Sequence, residues 1–157
     1  MRPRVLASAL AMALLSLPAW PAEVSYDFVA CTHTRQTVVE ASPELVAFGL
    51  DNWGIVANST TKEWENATTR CVGYLRVAAG KPVGKGVCRW IVSSGDTAVG
   101  EFEYPPAGEA SFTWLTGTGK FKGIQGGGTF KQISNAKPSE SGTSQACRRD
   151  WGKYTLP

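Results

Sequence analysis

The sequence predicts an all-β protein of eight antiparallel strands, arranged as a barrel or a sandwich. Runs rich in valine, threonine and aromatic residues recur along the chain, and clusters of glycine, proline, serine and aspartate separate them. No convincing amphipathic helix occurs between these runs. Many short strands at close spacing, without helices, are typical of antiparallel barrels and sandwiches.

The first predicted strand, Glu23–Val39, alternates roughly in polarity and ends before Ser42 and Pro43. The second, Leu45–Ala57, contains two glycines, and a short helix is the alternative there. A polar loop, Asn58–Thr69, follows it. The remaining predicted strands are Cys71–Ala78, Val83–Val92, Thr97–Tyr104, Glu109–Leu115, Gly128–Ile133 and Gln145–Tyr154.

Turn residues fix the ends of the central strands. Gly80 and Pro82 supply a hairpin turn between the third and fourth strands. Ser93–Asp96 turns the chain into the fifth strand. Pro105–Gly108 ends that strand, because proline cannot continue an interior hydrogen-bond ladder.

The first 22 residues have the pattern of a secretory signal peptide. Arg2 and Arg4 precede the apolar run Val5–Leu17, and a segment with small residues follows. The run is too short for a transmembrane helix, which needs about 20 apolar residues. We expect cleavage after Ala22, with Ala19 as the alternative, and a single β-barrel domain over residues 23–157. The expected location is the periplasm or the outside of the cell.

Charge argues against two classes of partner. The formal net charge of the whole chain is +3, and removal of residues 1–22 lowers it to +1 because two arginines and no acidic residues are lost. A nearly neutral protein has no electrostatic footprint for nucleic acid or for an anionic membrane. We therefore expect neither as a partner after cleavage, while an oligomer remains compatible with the sequence.

The four cysteines predict two disulfides, with three possible pairings. In a closed eight-stranded barrel the first and last strands are neighbours, which favours a Cys31–Cys147 bond. Cys71 and Cys88 lie on adjacent hairpin strands and form the second predicted pair. No C-x-x-C pattern occurs and His33 is the only histidine, so neither a metal nor another cofactor is expected.

The segment Thr116–Ile133 contains six glycines and raises the question of phosphate binding. A P-loop requires serine or threonine directly after the lysine, and Phe121 occupies that position. Gly117, Gly119 and Gly123 give G-x-G-x-x-x-G, one residue too long for the dinucleotide pattern. Nucleotide binding is therefore not expected.

Apolar side chains between the glycines favour a packed corner. Phe121, Ile124 and Phe130 interleave with the glycines, and each would bury apolar surface worth about 1.5–3 kcal/mol. Glycine between such anchors is typical of tight turns and close strand approach. We expect a compact turn at Gly117–Gly123 between the sixth and seventh strands.

The stretch "GTGKFKGIQGGGTF" resembles a segment of plant allene oxide cyclase and dirigent barrels and of small exported bacterial proteins. The resemblance implies an eight-stranded antiparallel closed barrel, similar to the calycins. It carries over no catalytic residue, because it is confined to this corner. The matching residues are Gly117, Thr118, Gly119, Lys120, Phe121, Gly123, Gly126, Gly128 and Phe130.

Four aromatic residues on three successive predicted strands are candidates for a ligand pocket: Trp90, Phe102, Tyr104 and Trp114. A barrel of this size can enclose one small apolar or aromatic molecule, but the same side chains could simply fill the core. On the neighbouring hairpin, Arg76 and Arg89 are candidates to orient a ligand carboxylate, or are surface residues.

Glu101 and Glu103 share one face of the fifth strand and are the weak catalytic candidates. Facing the lumen they could act in acid–base chemistry; facing solvent they would have no such role. His33 lacks a nucleophile pattern around it and is interpreted as an ordinary strand residue.

The sequence thus leaves three functions open. The leading hypothesis is an exported barrel that binds a small apolar or amphipathic ligand in its lumen, without chemistry. The alternatives are a cofactor-independent isomerase or cyclase acting in the barrel, which the resemblance permits, and a structural or stress-related exported protein with a filled core.

Overall fold

The protein is an eight-stranded closed antiparallel barrel. A computed structural model describes residues 22–157. The strands follow chain order around the barrel, and the last strand pairs with the first. The predicted fold class is therefore confirmed. The predicted signal peptide, residues 1–22, lies outside the described residues except for Ala22.

Each of the eight predicted strands is present, and the segment that could have held a helix is β2. The strands are β1 (Ala22–Ala41), β2 (Leu45–Ser59), β3 (Thr68–Ala78), β4 (Lys81–Ile91), β5 (Thr97–Tyr104), β6 (Ser111–Gly117), β7 (Gln125–Ala136) and β8 (Thr143–Leu156). Single 3₁₀ turns, Lys62–Trp64 and Gly119–Phe121, connect β2 to β3 and β6 to β7. No helix within residues 22–157 is long and apolar enough to cross a membrane.

Strand alternation decides which side chains enter the barrel. On β5, Ala98, Gly100 and Phe102 are buried, whereas the residues between them are more exposed. The same alternation on the other strands, together with the two 3₁₀ turns, brings a set of aromatic rings into the lumen. Its buried members are Tyr26, Phe28, Trp64, Trp90, Phe102, Phe112, Trp114, Phe121, Phe130 and Tyr154.

Two similar corners close one end of the barrel. At the first, the Trp64 N–H donates to the carbonyl of Thr61 at 3.1 Å; at the second, the Phe121 N–H donates to that of Thr118 at 3.0 Å. The corners lie on opposite sides of the barrel, and the fully buried rings of Trp64 and Phe121 stack with centroids 4.9 Å apart. Gly123 follows Phe121 with a φ of +77°, which favours glycine.

The second corner is the glycine-rich segment, and its interpretation as a packed turn is confirmed. Phe121, Ile124 and Phe130 are all buried. Phe121 and Trp64 of the first corner form the base of an aromatic plug. Tyr26, Phe28, Trp114 and Tyr154 pack on the stacked pair and complete the plug.

Both predicted disulfides are present. Cys31–Cys147 joins β1 to β8, and Cys71–Cys88 joins β3 to β4, each between directly paired residues. The two bonds lie on opposite faces of the barrel wall. Cys71 and Cys88 are buried inside, whereas Cys31 and Cys147 occupy the outward positions of their strands and are partly exposed.

The plug predicts a large stability difference between two apolar truncations. Phe121→Ala removes a fully buried ring from the stacked pair and is expected to lower the free energy of unfolding by about 3–5 kcal/mol. Leu115→Ala on neighbouring β6, where the side chain is 54% exposed, is the matched control and should cost less than about 1 kcal/mol. Urea denaturation measures both; equal losses would contradict the plug.

The placement of the disulfides predicts an order of chemical access. Mild reduction of the native protein followed by alkylation should label Cys31 and Cys147 first, because these two are partly exposed on the outer wall. Cys88 is fully buried and Cys71, in the lining of the lumen, is only 3% exposed. Peptide mapping after increasing reduction times measures this order. Alkylation in denaturant, which should label all four cysteines together, is the control. Earlier labelling of Cys71 and Cys88 would contradict the burial described.

Candidate functional site

The end of the lumen opposite the plug holds a cavity of about 560 Å³. Its mouth lies where the β1–β2, β3–β4 and β7–β8 hairpins turn, and Gly80 and Pro82 lie on its rim. Because the aromatic plug fills the other end, the cavity is blind. Its volume is in the range of small-molecule sites.

The cavity has an apolar wall and a polar wall. Side chains of β2, β3 and β5 form the apolar wall, which consists of Phe48, Leu50, Leu75, Val77, Phe102 and Tyr104. The polar wall comes mainly from β1 and β8 and includes Thr32, Thr34, Gln36, Ser144 and Arg148. Asn52 on β2 joins the polar wall through a 2.8 Å hydrogen bond from its Nδ2 to the hydroxyl of Thr34. Such a lining suits an amphipathic molecule.

Arg148 lies at the boundary between the cavity and the aromatic core. Its Nε–H donates to Oδ2 of Asp150 at 3.1 Å, and its guanidinium lies 4.9 Å from the ring centroid of Phe130 and 6.0 Å from that of Trp90. Its side chain keeps 17% of its surface exposed, and it lines the cavity. The Nη2 atom is enclosed and has no hydrogen-bond acceptor among residues 22–157.

Asp150 is a buried acidic residue behind the cavity lining, with 3% of its surface exposed. Burial raises the pKa of its carboxyl to about 6, because loss of hydration outweighs the attraction of the Arg148 guanidinium. Burial likewise raises the pKa of the Tyr104 phenol, so this hydroxyl stays protonated at neutral pH. The guanidinium that lines the cavity floor thus lies beside a buried carboxyl whose pKa is about 6.

The predicted aromatic candidates divide between the cavity and the core. Phe102 and Tyr104 line the cavity. Trp90 and Trp114 are buried below it, with ring centroids 5.4 Å apart, and have the core-filling role that was the alternative for them.

The predicted charged candidates do not enter the lumen. Arg76 is exposed on the outer face of β3, because its neighbours Leu75 and Val77 are the residues that point inward; Arg89 is likewise exposed. Glu101 and Glu103 lie on the outer face of β5, on either side of inward-facing Phe102. The two glutamates thus occupy the solvent-facing position that was the alternative for them, without a role in the lumen. The prediction that Arg76 binds a lumenal ligand is corrected, because its side chain faces outward.

His33 also lies on the outer face. Its ring centroid is 5.1 Å from that of Trp53, and its Nδ1 is 3.4 Å from Nε2 of Gln145. This position agrees with an ordinary strand histidine.

The sequence reasoning missed Arg148 and Asp150, although a signal for them exists. Tyr154 is a bulky apolar residue near the end of β8 and points inward. Counting back in steps of two from Tyr154 reaches Gly152, Asp150 and then Arg148, which places both charged residues on the lumenal face.

No three potential metal-ligating side chains come together within the part of the chain that the structure describes. No protein-family model matches the chain, and a search of curated proteins finds no match. The chemistry of the cavity lining is therefore the basis for assigning a function.

The raised pKa of Asp150 predicts how stability depends on pH. The folded protein holds this proton more tightly than the unfolded chain, so Asp150 should make the fold progressively less stable as pH rises from 3.8 to about 6. Asp150→Asn should remove this contribution to the slope. Urea unfolding at several pH values measures it, and Glu101→Gln on the outer face controls for loss of one carboxyl. An unchanged slope in Asp150→Asn would contradict the assignment.

Proposed function

We propose that the protein binds a small amphipathic molecule in the open half of its lumen, without chemical turnover. The observation that carries this proposal is the blind cavity of about 560 Å³, in which an apolar wall faces a polar one. Small-molecule sites are typically concave and largely apolar, with a few placed polar groups that fix orientation. Phe102 and Tyr104, expected to bind ligand from the sequence, lie on the apolar wall.

We further propose that the protein acts after export, in the periplasm or outside the cell, with residues 1–22 as its signal peptide. Two disulfides support this location, because such bonds persist in oxidising compartments and are rare in the cytosol. The disulfide across β1 and β8 also ties the closing seam of the barrel. An exported binding protein gains resistance to unfolding from such a link.

The two alternative functions have less support. A lumenal isomerase or cyclase would need groups that move protons to or from a bound molecule, and the candidate carboxylates Glu101 and Glu103 lie outside the barrel. The carboxyl of Asp150 lies behind Arg148, is 3% exposed and does not line the cavity. A structural protein with a filled core would not contain the cavity of about 560 Å³ that occupies the open half of the lumen. Binding is the function that the lining of the cavity favours.

Filling the cavity tests the proposal. Thr34→Phe places a ring in the lumen and should weaken binding of any lumenal ligand at least tenfold, because the ring occupies ligand space. Thr37→Phe, three residues along β1 at an exposed position, is the matched control and should leave binding unchanged. Isothermal titration with a panel of small amphipathic compounds measures both variants.

Either of two results would count against lumenal binding. One is equal affinity of the Thr34→Phe and Thr37→Phe variants for every compound that binds the unmodified protein. The other is the absence of binding by every compound in a panel that spans acidic, basic and neutral head groups.

A further inference from the structure

We propose that the lumenal ligand is a compact monocarboxylate with a flat apolar body, and that its carboxylate binds the guanidinium of Arg148 at the cavity floor. This inference rests on the proposed binding function and adds the chemical class and the orientation of the ligand. The acidic group enters first, and the apolar body lies towards the mouth.

Arg148 has donors that the protein itself does not use. An arginine side chain carries five N–H donors in a planar fork. Asp150 accepts from Nε, and Nη2 has no acceptor within residues 22–157. An enclosed donor without a partner costs free energy and calls for an explanation. Nη1 likewise has no hydrogen-bond partner among residues 22–157 and, unlike Nη2, is not enclosed, so a ligand oxygen in the cavity would reach the guanidinium at Nη1.

The guanidinium is held in place before any ligand arrives. The bond to Asp150 fixes one edge of the fork, and the ring of Phe130 lies 4.9 Å from its centre. A guanidinium whose orientation is fixed loses little rotamer entropy when it binds a carboxylate. An arginine at a free surface would lack this preorganisation.

The charges around the cavity favour a monoanion. Among the described residues that line it, Arg148 is the one charged side chain; the remaining polar groups are neutral hydroxyls, amides and a phenol. The carboxyl of Asp150 lies 3.1 Å from Nε on the buried side. Its charge would repel a second negative charge on the ligand, so a phosphate dianion fits less well than a carboxylate.

Apolar surface begins directly beside the guanidinium. Phe130, which packs against Arg148, also meets the ring of Tyr104 edge-on at 5.1 Å. Tyr104 in turn meets Phe102 at 6.3 Å, and both line the cavity. Phe130 thus links the guanidinium to the aromatic wall, and Arg148, Phe102 and Tyr104 line the same cavity. An aromatic wall in the same cavity as the cation favours a compact, flat body over a long flexible chain.

The probes for the test are trans-cinnamate, its neutral amide cinnamamide, and phenyl phosphate. Isothermal titration at neutral pH should show cinnamate binding at least tenfold more tightly than cinnamamide, because the amide offers Arg148 no charge. It should also show cinnamate binding more tightly than phenyl phosphate. This comparison uses the unmodified protein and does not depend on any variant folding.

Substitution supplies the second arm. Arg148→Gln should weaken cinnamate binding at least tenfold and leave cinnamamide nearly unchanged, and Arg148→Lys should recover part of the loss. Arg149→Gln is the matched control, because Arg149 is the next residue on β8 and pairs with Asp27 on the outer face. Its affinity for cinnamate should equal that of the unmodified protein.

The outcomes separate this inference from the proposed function. Equal binding of cinnamate and cinnamamide, or tighter binding of phenyl phosphate, overturns the monocarboxylate assignment. Binding of neutral compounds alone also overturns it. If Thr34→Phe blocks that binding, the proposal of lumenal binding still stands. If no compound of any charge binds, both proposals fail together.

Discussion

The stacking of Trp64 on Phe121 determines how the interior of this barrel is divided. An eight-stranded barrel is only just wide enough for side chains to fill it. Two rings reaching in from opposite corners therefore close one end completely, with centroids 4.9 Å apart. The other aromatic side chains pack above them, and the space that remains lies at the opposite end. The cavity begins where this aromatic packing ends, and Arg148 lies at that boundary.

Arg148 and Arg149 show how strand alternation gives neighbouring identical residues different roles. Arg149 faces outward and pairs with Asp27 at an exposed position, where an ion pair contributes little to stability. Arg148 faces inward beside Asp150, where both groups have lost much of their hydration. A charged pair at the boundary between plug and cavity is costly in free energy. The proposed ligand carboxylate would offset part of this cost.

The fold was largely predictable from sequence, because strand boundaries depend on local features such as Pro105 and the glycine corner. The disulfide pairing followed from barrel closure once the strands were in order. The site was less predictable, because β3 carries apolar residues on both faces: Val72 and Tyr74 outside, Leu75 inside. Local alternation there does not reveal which face is lumenal. Whether Trp90 and Trp114 line the cavity or fill the core depends on contacts between elements far apart in sequence. Trp114, for example, packs on Trp64 of the corner between β2 and β3, and the sequence of one strand does not predict that contact.

Pairing of β1 with β8 also constrains when the barrel can form. The seam joins residues at the two ends of the described chain, with Ala22 opposite Leu156. Contacts so far apart in sequence form slowly, because a long loop must be ordered before they stabilise it. During synthesis the outer edge of β1 stays unpaired until β8 has been made. The other seven pairings join consecutive strands and can form earlier as successive hairpins. Until the seam closes, the edges of β1 and β8 are open to pairing with other chains.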